Sequence, residues 1–202
     1  MKYQIYQPSE DSYLLSEVLK EHCKNKSVLD MGSGSGILAE TAIKAKAKSV
    51  LAVDINSESI KLLSSKFRKN KNVQIIKSNL FSKIPKNKKF DIIVFNPPYL
   101  PLDKREPLDS RKATTGGKKG DEIILRFLKQ AKHLSKDGFI LLLTSSLTPE
   151  ERIIHLLKSL KLNRALLSQK KLFMETLFVW KIENSETLSR RNLFKYRYLK
   201  NL

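Results

Sequence analysis

The chain has 202 residues, with 39 lysines and arginines against 20 acidic residues, so its net charge is +19. Its longest apolar stretch, Phe139 to Leu143, is too short to cross a bilayer, no signal peptide is visible, and the single Cys23 excludes an internal disulfide. We therefore expect one soluble, cytoplasmic globular domain without a membrane contact, and we predict no metal site because no Cys/His set has zinc spacing.

The excess of positive charge has two interpretations. It favours a polyanionic partner such as RNA, a ribosome or DNA. The alternative is a lysine-rich solvated surface, because many of the lysines fall on expected helix faces and loops. Charge alone does not decide the function.

Apolar segments alternate with amphipathic segments along the chain, which predicts a parallel sheet flanked by helices. Helices are expected over Ser9–His22, Ile37–Ala47, Ser57–Asn70, Asp121–Leu134 and Pro149–Leu160. Strands are expected over Ser27–Met31, Val50–Asp54, Val73–Ile76, Asp91–Phe95, Phe139–Thr144, Arg164–Ser168 and Glu175–Ile182. The last two strands have no helix between them, so we expect a hairpin that gives one antiparallel strand at the sheet's end. The predicted fold class is α/β, a Rossmann-like sheet of seven mostly parallel strands with helices on both faces.

Two segments do not follow this alternation. Residues 100–120, "LPLDKREPLDSRKATTGGKKG", are rich in proline, glycine and charge, and we expect a substrate-facing loop there. Residues 184–202 form a basic, aromatic tail, which is either a final helix or an arm on nucleic acid. The predicted catalytic domain is therefore residues 1–183.

The segment "VLDMGSGSGILAE" reads as strand, glycine-rich turn and helix. Gly32, Gly34 and Gly36 allow a sharp turn and close contact with a ligand. The dinucleotide fingerprint is broken by Ile37, and no Gly-Lys-Ser/Thr of a phosphate loop follows. A cofactor with a cation and no phosphate fits better, and S-adenosylmethionine is such a cofactor, with Asp30 receiving its ammonium directly or through water.

Two further strand ends complete the predicted cofactor site. Asp54 ends the second strand, where an acidic side chain meets a ribose diol, although a helix-capping role is the alternative. Asn79 follows the third strand, from where it can reach the adenine amino group, and Leu80 is expected against the ring.

The apolar run "FDIIVF" ends in Asn96, Pro97, Pro98 and Tyr99. Ligands of such sheets lie beyond the carboxyl ends of the strands, so Asn96 is expected in the cavity, beside the cofactor. The Asn96 side-chain oxygen and the Pro97 carbonyl offer two acceptors for a planar NH₂ group, and Tyr99 offers a flat face for stacking. This arrangement orients a poor nucleophile without a strong base, so we assign Asn96, Pro97 and Tyr99 as catalytic and Pro98 as substrate-binding.

These motifs resemble the amino-methyltransferases that act on adenine N6, cytosine N4 or the glutamine amide. The opening "YQPSEDSYLLSEVL" narrows the resemblance to the short HemK-type enzymes of archaea and eukaryotes, over roughly residues 3 to 183. The resemblance implies methylation of the glutamine in the Gly-Gly-Gln loop of a class 1 release factor. It places Glu10, Asp11 and Ser12 near the methionine end of the cofactor. It also implies a small zinc-ribbon activator subunit on the edge strand at Asn72–Ser78.

The chain departs from the family pattern at Asn79, where the family usually has Asp, and in its basic tail. Three other functions stay open from the sequence. N6-adenine methylation of DNA or RNA shares the motif and suits the charge, although no separate target-recognition domain is visible. Protein-lysine methylation is a second option, although a grip for a planar NH₂ suits an ammonium poorly. A non-catalytic RNA-binding module is the third.

Overall fold

The computed structural model describes residues 5–103, 105, 107, 111 and 114–186, so the predicted tail lies outside them from residue 187 onward. In these ranges the helices are α1 (Glu10–His22), α2 (Ile37–Lys44), α3 (Ser57–Lys66), α4 (Glu122–Gln130) and α5 (Glu150–Ser159). The strands are β1 (Ser27–Met31), β2 (Ser49–Asp54), β3 (Val73–Lys77), β4 (Phe90–Phe95), β5 (Leu100–Pro101), β6 (Thr115–Gly117), β7 (Leu134–Ser145), β8 (Leu162–Lys171) and β9 (Thr176–Asn184).

The main sheet has seven strands in the order β3-β2-β1-β4-β7-β9-β8. All neighbouring pairs are parallel except those that involve β9, which runs antiparallel to both β7 and β8. The predicted Rossmann-like sheet and its terminal hairpin are therefore confirmed. The antiparallel strand β9 lies one position in from the edge of the sheet. A short turn joins it to β8, which pairs with it on one side, and β7 pairs with it on the other.

The central strands are buried because helices cover the sheet. Strand β4 is buried along nearly its whole length, as continuous apolar strands of parallel sheets are. Helix α1 packs on α2 and α4 packs on α5. Helix α1 begins with two acidic residues and ends with Lys20 and His22, which suits its dipole, and it buries one apolar face.

The polar residue in β4 has a structural role at the edge opposite the cavity. Asp91 accepts hydrogen bonds from the Ser27 backbone N–H and hydroxyl, both at 2.8 Å. Its other oxygen accepts from the Ser135 hydroxyl at 3.1 Å. One carboxylate therefore ties together the beginnings of β1, β4 and β7.

The predicted end of one helix differs from the structure because its last residues belong to a strand. The helix expected to reach Leu134 ends at Gln130, because Leu134 pairs with Phe90 and begins β7. The expected irregular loop at 100–120 also contains regular structure. Its two ends meet in a small parallel ladder that joins Leu100 to Thr115 and Pro101 to Gly117.

Among the described residues, no helix has the length and apolar character needed to cross a membrane. In the same ranges, no three His, Cys, Asp or Glu residues come close enough together to hold a metal ion.

Candidate active site

A cavity of about 680 Å³ lies at the carboxyl ends of β1, β2 and β4. Most of the predicted site residues line it, from both the glycine-rich turn and the end of β4. They are Gly32, Gly34, Asp54, Asn79, Leu80, Asn96, Pro97, Pro98 and Tyr99. Ser12, Asp30 and Gly36 are not part of the cavity wall, and each has a different role in the structure.

All three glycines of the turn have left-handed backbone conformations, but for different reasons. Gly32, with φ 66°, would bring a Cβ to 3.2 Å from the Phe95 ring, and a Cβ on Gly34, with φ 50°, would make only an ordinary contact with the Gly32 carbonyl at 3.9 Å. A Cβ on Gly36 would lie 2.6 Å from Leu63 of α3. Gly36 was predicted to approach the cofactor, whereas its missing side chain instead makes room for helix packing.

Asp30 lies behind the turn, fully buried, rather than in the cavity. Its Oδ2 accepts from the Ala39 backbone N–H at 3.0 Å, and its Oδ1 has no hydrogen-bond partner within the described part of the chain. Burial raises the pKa of this carboxyl to about 7. The visible contact of Asp30 is with the start of α2, and its contact with the cofactor ammonium, directly or through water, stays a prediction.

Asp54 links the turn to the end of β2. One carboxylate oxygen accepts from the Gly34 backbone N–H at 2.8 Å and the other accepts from the Asn56 backbone N–H at 2.7 Å. The helix-cap role belongs to Asn56, whose side chain accepts from the Glu58 N–H at 3.0 Å. Burial raises the pKa of Asp54 above its ordinary value. The carboxylate lines the cavity and retains lone pairs for a ligand.

The next part of the wall combines polar and apolar side chains. The Asn79 side-chain oxygen, Oδ1, accepts a hydrogen bond from the Arg126 guanidinium at 2.7 Å, a contact that the sequence did not suggest. Leu80 is buried and has a φ of 49°. Ile55 lines the cavity with 63% of its surface exposed, so it offers an apolar surface that a flat ring can cover.

The Asn96 carboxamide is held from one side only. Its Nδ2 donates to Asp11 Oδ2 at 3.1 Å and to Ser12 Oγ at 3.4 Å. Asp11 is buried and also accepts from the Tyr6 hydroxyl at 2.9 Å. The Asn96 Oδ1 is buried and has no partner among the residues that the structure describes. The carboxylate of Asp11 can only accept, so it fixes the amide orientation and leaves Oδ1 as an unused acceptor.

The backbone after Asn96 is fixed by the returning end of the 100–120 segment. A Cβ on Gly116 would lie 2.5 Å from the Pro98 carbonyl, and one on Gly120 would lie 2.6 Å from the Tyr99 carbonyl. The Tyr99 carbonyl also accepts from the Thr148 hydroxyl at 3.2 Å. Pro97 itself lines the cavity. The two glycines therefore allow the close backbone contacts that hold the turn after Asn96.

Tyr99 is buried and lines the cavity. Burial, followed by the negative charges of Asp11 and Glu175, raises the pKa of its phenol. The phenol of Tyr6 also has a raised pKa, caused first by burial and then by Asp11. Both phenols therefore stay neutral near pH 7.

The cavity is acidic although the chain is basic. Among the described residues, four carboxylates line it against two cationic side chains, namely Glu10, Asp11, Asp54 and Glu175 against Lys77 and Arg126. Sequence reasoning missed Tyr6, Ile55, Arg126 and Glu175 as wall residues. Ile55 could have been predicted from the sequence, because it directly follows Asp54. Arg126 and Glu175 could not, because only the tertiary fold brings their elements to the cavity.

Comparisons with known proteins show which family the chain is similar to. The family model described as methyltransferase small domain matches residues 8–174. A Methanocaldococcus jannaschii protein named as a protein N5-glutamine methyltransferase is 39% identical over 180 residues, covering 87% of this chain and 90% of that one. The human methyltransferase HEMK2 is 29% identical over 193 residues, covering 90% of each chain. Among solved structures, Mtq2 of E. cuniculi, in complex with Trm112, matches with a TM-score of 0.71 and 25% identity, covering 92% of this chain and all of that one. That complex is described as responsible for methylation of the translation termination factor eRF1.

Proposed function

Because this chain belongs to the methyltransferase small domain family, we propose that it methylates the side-chain amide nitrogen of a protein glutamine. The proposed methyl donor is S-adenosylmethionine, and the proposed substrate is the Gly-Gly-Gln loop of a class 1 peptide chain release factor. The observation that carries this proposal is the buried Asn96 Oδ1, an acceptor without a partner in the described residues, in the wall of the cavity.

A glutamine amide suits this acceptor because it has two N–H donors in one plane. Asn96 Oδ1 and the Pro97 carbonyl can accept one N–H each, and the Tyr99 ring supplies a flat apolar face beside them. Asp11 keeps the Asn96 amide in the accepting orientation through the 3.1 Å contact. An amide nitrogen is a weak nucleophile because its lone pair is delocalised, so orientation in a site closed by buried side chains is the main contribution that these residues make.

The cavity also fits the methyl donor. We assign Asp54 to the ribose diol, Ile55 and Leu80 to the adenine ring, and the carboxylates of Glu10 and Asp11 to the cationic methionine portion, because all five residues line the cavity. When bound, S-adenosylmethionine supplies a sulfonium methyl group, and its transfer forms the N–C bond, leaves the C–S electron pair on sulfur and releases one proton from the nitrogen. Among the described wall residues, four carboxylates outnumber two cationic side chains, which favours a cationic ligand here although the net charge of the chain is +19.

The carboxylates that line the cavity also argue against the two alternative substrates, nucleic acid and protein lysine. A nucleic acid would have to bring its phosphates close to these carboxylates, which is unfavourable even though the overall charge attracts it. A lysine beside the carboxylates keeps its proton, so its ammonium has no lone pair with which to attack. RNA or ribosome contact through the basic surface and the tail remains a separate proposal that does not require the nucleic acid to enter the cavity.

We also propose an activator subunit on β3. This strand pairs with β2 on one side, and its residues are half-buried or exposed. An open, partly apolar edge can pair with another chain. The E. cuniculi structure contains Mtq2 together with Trm112. A small zinc-ribbon protein on Asn72–Ser78 is therefore the proposed partner.

The decisive experiment is a labelling reaction with radiolabelled S-adenosylmethionine, with and without a zinc-ribbon subunit. We expect label on a release factor that contains Gly-Gly-Gln and none on its Gly-Gly-Ala variant. DNA and ribosomal RNA are included as competing acceptors. Equal labelling of both release factors, or label found only on nucleic acid, would overturn the proposed function.

A further inference from the structure

The tip of the β8–β9 hairpin, Leu172–Glu175, has an unusual composition for a turn. Its ends are joined by a hydrogen bond from the Leu172 backbone N–H to the Glu175 carbonyl at 2.8 Å. Turns of this kind favour Gly, Asn, Asp or Ser at the central positions, whereas this one carries Phe173 and Met174. Phe173 is 99% exposed and Met174 is 76% exposed. Neither the turn geometry nor packing within the protein explains two large apolar side chains there.

The tip lies at the mouth of the cavity. Strand β8 runs in the same direction as β7, because both are antiparallel to β9, so its carboxyl end is at the cavity edge of the sheet. Leu172 and Glu175, on either side of the exposed pair, both line the cavity.

Two contacts hold the tip in place. Lys170, just before it, forms an ion pair with Glu10 of α1, which also lines the cavity. The Ser145 hydroxyl donates to the Glu175 carboxylate. The exposed side chains are therefore presented by an anchored element at a fixed position beside the site.

We propose that Phe173 and Met174 are the docking site for the protein that carries the acceptor glutamine, and that they bind an apolar patch next to the acceptor loop. This inference rests on the proposed function, which requires a folded protein to bring a glutamine to Asn96. The flanking chain of such a loop has to pass the cavity mouth, where the tip stands.

The chemistry of the surroundings favours a protein over a nucleic acid. The Glu175 carboxylate beside the tip disfavours a phosphate, whereas exposed Phe and Met gain by covering apolar side chains. The tip is also at the other end of the sheet from β3, so a subunit bound at Asn72–Ser78 does not compete with it.

The test compares the wild type with the double variant Phe173→Ser/Met174→Ser, using an intact Gly-Gly-Gln release factor and, where needed, the activator. We expect the KM for the release factor to rise roughly 10-fold or more, as for loss of an aromatic interface residue. The kcat and the Kd for S-adenosylmethionine should change less than about twofold. Leu166→Ser, which removes an exposed apolar residue from the middle of β8, away from the tip, is the control and should leave all three constants unchanged.

A second measurement does not depend on kinetics. A photo-reactive benzoylphenylalanine at position 173 should cross-link to the release factor, and an excess of unlabelled release factor should compete.

Each contrary result has a definite meaning. An unchanged KM with no cross-link, or a fall in kcat alone, would overturn the docking role while leaving the proposed function intact. An unchanged KM combined with loss of binding to phospholipid vesicles would assign the tip to a lipid surface instead. Failure of the wild type to label any Gly-Gly-Gln protein would overturn the proposed function, and this inference with it.

Discussion

Replacement of Asn96 by alanine separates the catalytic role of this residue from its structural role. In the folded chain the side chain contributes two hydrogen bonds through Nδ2 but also buries Oδ1 without a partner in the described residues. An unsatisfied buried acceptor costs about 1–3 kcal/mol, and a hydrogen bond to a charged group contributes about 1.5–3 kcal/mol. Since these two effects have opposite signs, we expect the free energy of unfolding to change by less than about 2 kcal/mol.

Turnover should respond much more strongly than stability. The variant lacks one of the two acceptors proposed to hold the glutamine N–H groups, and removal of one such oriented group costs on the order of 10²-fold in kcat, or about 2.7 kcal/mol. The cofactor contacts proposed at Asp54 and Leu80 are untouched, so the Kd for S-adenosylmethionine should stay within a few-fold of the wild-type value.

Three measurements on the same protein preparation check this expectation. Steady-state methylation of a Gly-Gly-Gln protein gives kcat, calorimetric titration gives the cofactor Kd, and urea unfolding gives stability. Asn184→Ala, at the end of β9, is the matched control, because its side chain contacts only the Glu186 backbone N–H in the described residues, at 3.0 Å. A kcat within threefold of the wild-type value, or a loss of activity that parallels unfolding, would refute the proposal that Asn96 holds the glutamine amide.

Three other variants test the supporting interactions. Asp11→Asn should lower kcat on the order of 10-fold, because the neutral amide no longer fixes the orientation of Asn96, and an unchanged kcat would contradict this. It should also raise the Kd for S-adenosylmethionine, because one of the two carboxylates proposed for the cationic methionine portion is lost. Gly36→Ala should lower the free energy of unfolding, measured in urea titrations, by about 1–3 kcal/mol, because its φ is 81° and the new Cβ would lie 2.6 Å from Leu63. Unchanged stability would show that α3 can shift to make room for the methyl group. Asp30→Asn tests the raised pKa of about 7. Because the pKa is raised in the folded state, the free energy of unfolding of the wild type falls as pH rises from about 4 to about 7. Over that range the free energy of unfolding of the variant should increase relative to that of the wild type by up to about 4 kcal/mol. A difference that does not depend on pH would show that the buried carboxyl holds no proton.

The order of the five described helices and of the seven strands of the main sheet, and the fold class, all followed from the sequence. The reason is that hydrophobic periodicity and glycine-rich turns are local properties of the chain. Strand Ser27–Met31 was predicted to the residue, and Asn96 with its two prolines was recognised because polar residues directly end an apolar run. The motifs indicated a methyltransferase before any contact was known.

Only the tertiary structure decided what each motif residue touches. The orientation of Asn96 depends on Asp11, which is 85 residues away in the chain. Gly36 looked like a ligand contact in sequence, but its constraint comes from α3, and Asp30 turns inward to α2. Such partners depend on how helices and strands pack across the sheet, and no short-range pattern in the chain records that packing.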